Sequence, residues 1–119
     1  MALGIERQDG QGAGEGAISL IILRGKLMLG EDCNLLEAVI PELLRDGRTK
    51  LIFDLSGVTH IDSTGIGRFI DTYSRLGQAG GEMRLAGATG AVRDSFRVTR
   101  LDTVFRFYPT VDAACEGLK

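Results

Sequence analysis

Lys50-Leu51-Ile52-Phe53-Asp54-Leu55, then Ser56-Gly57-Val58-Thr59-His60-Ile61, then Asp62-Ser63-Thr64-Gly65-Ile66-Gly67: this passage decides how the chain folds. Its first six residues form a nearly continuous apolar run ending in a polar turn, the pattern of a central strand covered on at least one face. Past Ser63 the period changes. Ile66, Phe69, Ile70, Tyr73 and Leu76 recur at three and four, while Arg68, Asp71, Thr72 and Arg75 fill the other face. That is an amphipathic helix, ending near Gly77 to Gly81.

Upstream, Leu3 to Arg7 and Ala17 to Leu23 read as two strands, the second closed by Gly25. Between them Gly10, Gly12, Gly14 and Gly16 recur at every second residue, a loose connection that makes the pair an opening hairpin. From Asp32 onward Leu36, Val39, Ile40, Leu43 and Leu44 follow helical spacing, with Gly47 as the stop. Pro41 interrupts that pattern and predicts a kink or a restart, because an interior proline removes a hydrogen bond and clashes with the preceding turn.

Downstream, Glu82 to Gly87 reads as a strand, and Thr89 is placed to cap a short helix with Val92 and Phe96 on its inner side. Val104 to Tyr108 is the last strand. Thr110 caps a terminal helix with Val111, Ala114, Cys115 and Leu118 on one stripe. The predicted order is β-β-α-β-α-β-α-β-α. This is an α/β fold with a mixed sheet of about five strands and about four helices, its first pair antiparallel and the later strands parallel through helical crossovers.

The 119 residues are read as one domain, 1–119, too short for two. With 44% apolar and 25% charged residues the chain resembles an ordinary packed globule, and that size of core needs neither metal nor disulfide. Fourteen basic against sixteen acidic side chains give a net charge of −2 with no basic block, which argues against nucleic acid as a partner. The longest purely apolar run, Leu20 to Leu23, argues against membrane insertion, and the start of the chain has no signal-peptide pattern, so the protein is read as cytoplasmic. Cys33 and Cys115 stand apart and are expected as small buried hydrophobes, not as metal or redox groups.

Asp62 to Gly67 lies at a helix entrance beyond a strand's carboxyl end, where sites in α/β folds concentrate. A purely structural role is available: Ser63 or Thr64 as the N-cap, with glycines easing the turn. Enzyme readings fail on spacing. A nucleophile elbow needs Gly-x-Ser-x-Gly, but Ile61 holds the first glycine position, and His60 has no evident way to serve as base to Ser63. Gly65-Ile66-Gly67-Arg68-Phe69-Ile70 has Ile70 where a dinucleotide fingerprint has its third glycine, and Gly25-Lys26 is followed by Leu27, not by the Ser or Thr of a phosphate loop. Asp54 ends a strand as phospho-acceptor aspartates do, yet no acidic pair follows the earlier strands to hold magnesium. The chain is read as a non-enzyme.

The Asp62-Ser63-Thr64-Gly65-Ile66-Gly67 core resembles that of a STAS domain, most of all the bacterial anti-sigma factor antagonists. It is preceded by Leu51-Ile52-Phe53-Asp54-Leu55-Ser56-Gly57-Val58 and followed by Gly80-Gly81-Glu82-Met83-Arg84-Leu85 and by Arg100-Leu101-Asp102-Thr103-Val104-Phe105. The resemblance runs from about Leu3 to Leu118. It implies a small switch that binds an anti-sigma factor, commonly a serine kinase of the GHKL type, and so frees a sigma factor. It further implies phosphorylation on Ser63, with Thr64 the lesser acceptor, docking through Asp62, Ser63, Thr64, Gly65, Ile66 and Gly67, a phosphatase for reset, and no cofactor of the chain's own. Ile66 is either an apolar anchor for the partner or the first core residue of the helix. The alternative implied role is a non-switching STAS adaptor subunit of a stress-signalling or lipid-transport assembly. Two features depart from the family: Lys26 and Met28 stand where it often carries an acidic residue, and the Gly10 to Gly16 loop is longer than its usual hairpin turn.

Overall fold

The computed structural model describes residues 4–9, 18–27, 31–47 and 50–115. The Gly10 to Gly16 connection, Met28 and Leu118 lie outside them. The elements follow the predicted order: β1 (Gly4–Asp9), β2 (Ile18–Leu27), α1 (Glu31–Arg45), β3 (Lys50–Ile61), α2 (Ser63–Gln78), β4 (Glu82–Ala86), α3 (Gly90–Val98), a 3-10 turn (Leu101–Thr103), β5 (Arg106–Tyr108) and α4 (Val111–Cys115). The five strands lie in one sheet in chain order, β1-β2-β3-β4-β5. β1 and β2 are antiparallel, from Gly4 opposite Arg24 to Asp9 opposite Ser19. Each later neighbour is parallel, as helical crossovers require.

Alternation along the strands sorts the side chains into two layers. Ile21, Leu23, Leu51, Phe53, Leu55, Met83 and Leu85 point to one face, where α1 lays down Ile40 and Leu43, α2 Phe69 and Leu76, and α3 Val92 and Phe96. Aromatic rings lock this layer: Phe69 stands edge-on to Phe53 at 5.3 Å and to Phe96 at 5.9 Å. The opposite face is thinner. There Ile52 and Ala86 meet Ala114 of α4, with Leu20, Tyr108 and Val111 around them. Arg84 fastens α4 to it: only 6% exposed, its guanidinium donates to the Ala114 carbonyl at 2.9 Å and to Glu82 at 2.6 Å, and lies 5.2 Å from the Tyr108 ring centre.

Several boundaries differ from the sequence expectation. α1 runs through Pro41 from Glu31 to Arg45 without a restart, and Pro41 lies on its exposed side. Gly25 does not close β2; with φ at 104° it shifts the register and lets the strand continue to Leu27. β3 does not stop at Leu55 but continues to Ile61 alongside Arg24–Leu27. β5 is shorter than predicted, since Val104 and Phe105 belong to the turn that follows the 3-10 segment. Cys115 is exposed, not the buried hydrophobe expected; among the described residues of α4 the buried one is Ala114.

Candidate functional site

Among the described residues β3 is the longest strand, and its neighbour β4 pairs with Lys50 to Asp54. Gly57 to Ile61 therefore project beyond β4 as a two-stranded ribbon with β2, which carries the chain to the entrance of α2. On the ribbon Lys26 stands opposite His60 in register. His60 is exposed, its Nδ1 2.9 Å from the Thr59 hydroxyl, and that hydroxyl donates to the Gly25 carbonyl at 3.3 Å. Lys26 thus places a cation on the ribbon that delivers the motif.

At the end of the ribbon the backbone of Asp62 is still extended, with φ −111° and ψ −176°, and this makes Asp62 the N-cap of α2. Its carboxylate accepts from the Gly65 N–H at 2.9 Å, and its carbonyl accepts from the Ile66 N–H at 3.0 Å. The expectation that Ser63 or Thr64 caps the helix is corrected by this geometry. A capping side chain must belong to the last extended residue, and Ser63 is already helical.

The motif then divides by burial. Ser63 is exposed on the first turn, Thr64 is half-buried, and Gly65 is buried. Ile66 is 7% exposed and belongs to the main core, and what remains of its surface lines a concavity beside Ser63. Gly67 is exposed, and a Cβ built there would meet nothing within 4 Å. Glycine inside a helix costs about 1 kcal/mol relative to alanine, so nothing in this chain's own packing explains its choice at 67.

A concavity of about 350 Å³ opens beside Ser63. Ile61, Asp62, Ser63 and Ile66 form one side, and the other comes from α3 and its C-cap, through Asp94, Ser95, Val98 and Thr99. Sequence reading missed this second wall. Its one signal is Val98, an apolar residue off the stripe set by Val92 and Phe96. Among the described residues no helix is long and apolar enough to cross a membrane.

The family model for the STAS domain matches residues 13–114. The chain belongs to the STAS domain family. A Staphylococcus aureus relative, an anti-sigma-B factor antagonist, is 32% identical to this STAS domain over 66 residues, which are 56% of this chain and 61% of that relative. The match therefore spans under two thirds of the relative's length. An anti-sigma factor antagonist from Mycobacterium paratuberculosis superposes with a TM-score of 0.83 at 26% identity, covering 98% of this chain and 94% of that one. The phosphorylated form of the Bacillus cell fate determinant SpoIIAA shares the fold, with a TM-score of 0.71 at 19% identity, covering 96% and 100%.

Proposed function

We propose that this STAS domain is an anti-sigma factor antagonist working as a cytoplasmic partner switch. Unmodified, it docks an anti-sigma factor that is also a serine kinase through the entrance of α2. The kinase transfers the γ-phosphoryl of ATP to the Ser63 Oγ: the new O–P bond replaces the bond to ADP, and the hydroxyl proton passes to a base of the kinase. The modified domain leaves, and a phosphatase restores the hydroxyl by hydrolysis.

The observation that carries this reading is the division of labour at the helix entrance. Asp62 caps α2, so the fold has no need of the exposed Ser63 hydroxyl next to it. The relatives named as anti-sigma factor antagonists support the same reading. So does Gly67, which keeps the helix surface bare one turn beyond Ser63 at the expense of helix stability.

The energetics favour eviction of the partner over damage to the fold. A phosphoryl group adds about −1.5 to −2 charges, and an exposed helix N-terminus favours an anion by about 0.3–1 kcal/mol. Burying the same hydrated dianion in a protein interface costs several kcal/mol, and each 1.4 kcal/mol is a tenfold loss of affinity. The interface term dominates, and the domain stays folded.

Incubation with the GHKL-type kinases of the source genome and ATP, read by intact mass, is expected to add one phosphoryl group with one of them and none in Ser63→Ala. Ser63→Asp is expected to lose that kinase while melting like the wild type. Modification undiminished in Ser63→Ala moves the acceptor elsewhere. A constitutive complex indifferent to Ser63→Asp replaces the switch by an adaptor role.

A further inference from the structure

Four large apolar side chains stand exposed among the described residues, and Val98 is far the most exposed, at 79%. A lone exposed valine is ordinary on any surface. Val98 differs in its position, because it lines the same concavity as the Ser63 hydroxyl, facing a floor that includes Ile61 and Ile66. The charged residues of that lining, Asp62 and Asp94, are both acidic. Asp94 is held by Arg97 of its own helix at 2.8 Å, in an exposed pair that leaves the carboxylate accessible to a second cation.

We propose that α3 supplies the second half of the docking surface, with the groove between Val98 and Ser63 receiving an apolar side chain of the anti-sigma factor from a segment that carries Lys or Arg beside it. This rests on the docking role of Ser63 given above, and extends it to a helix some thirty residues further along the chain. The apolar residues of the lining set what enters, and the exposed Asp94 carboxylate beside them selects a basic flank. The groove also explains how one phosphate acts on a whole interface. A dianion on Ser63 stands inside the concavity that the apolar side chain must fill, so its water shell and the incoming group compete for one volume. The attraction between that dianion and a solvated cation on the rim is weak by comparison, because exposed ion pairs are screened.

The test uses the purified kinase that modifies Ser63 in the intact-mass assay, titrated calorimetrically against the full chain. Val98→Lys removes the apolar wall and adds a cation against the basic flank; it is expected to weaken binding at least tenfold and to raise KM for Ser63 phosphorylation with kcat little changed. Val98→Leu is expected to bind within about twofold of wild type. Both variants are expected to melt with wild type, since the residue is solvent-facing on the last turn of α3. Equal binding of Val98→Lys and wild type refutes the groove while leaving the Ser63 switch standing. If no kinase binds or modifies the wild type, the switch itself fails and the groove falls with it.

Discussion

Replacing Asp62 by alanine separates the two chemistries packed into adjacent residues. The Asp62 carboxylate makes a 2.9 Å bond to the Gly65 N–H, and alanine leaves that amide without its capping partner at the helix entrance. Loss of an N-cap side chain costs about 0.5–2 kcal/mol, of which the carboxylate's interaction with the helix dipole is about 0.3–1 kcal/mol. Asn keeps the acceptor and gives up the charge, so Asp62→Asn is expected to lose only the dipole part. Ser63→Ala removes an exposed hydroxyl that caps nothing, and is expected to change stability by less than about 0.5 kcal/mol. For a domain of this size 1 kcal/mol moves the melting temperature by roughly 3–6 °C. Thermal melts by circular dichroism and urea titrations at neutral pH resolve that series: wild type near Ser63→Ala, then Asp62→Asn, then Asp62→Ala. A Ser63→Ala variant that loses more than about 1 kcal/mol, beside an Asp62→Ala variant that loses nothing, refutes the assignment of the cap and with it the spare hydroxyl on which the switch depends.

Arg84→Met leaves the Ala114 carbonyl and Glu82 without their buried donor, and is expected to cost about 1–3 kcal/mol and to expose the chain after β5 to limited proteolysis before the rest of the domain is cut. Gly87→Ala forces a side chain into φ +74° with its Cβ 2.9 Å from the Ser56 Cβ, so a loss above about 1 kcal/mol in urea titration is expected, larger than an ordinary glycine-to-alanine change in a loop.

The fold was legible where burial writes a period. Leu51 to Leu55 announces a central strand, and Ile66 to Leu76 a helix with one wet face, so element order and the direction of every strand pair followed. The losses occur where tertiary contact overrides local signal. Ser56-Gly57 ends the apolar run, yet β3 continues beside β2 because it takes up an extra residue at each of two register shifts, between the partners of Ile22 and Arg24 and between those of Gly25 and Lys26. Pro41 argues against a continuous helix by its own chemistry, yet α1 carries it on an exposed position. At the site, Asp62, Ser63 and Thr64 are three cap-capable residues in a row, and only the point where the backbone leaves the extended region picks Asp62. Ile66 has a helical period that suits an anchor and a core residue alike, and only the structure shows it buried in the core with an edge on the concavity. The α3 wall had no motif to mark it, since Asp94 and Val98 meet Ile61 and Ser63 only through the packing of a crossover.

The strict succession of the strands across the sheet bears on how the molecule comes into being. No strand has to be inserted later between two that are already joined, so every segment leaving the ribosome finds its docking edge already made. The sheet can then grow one flank at a time, each new strand pairing with the edge left by the one before it. A chain laid out this way completes its sheet without separating any pair of strands that has already formed.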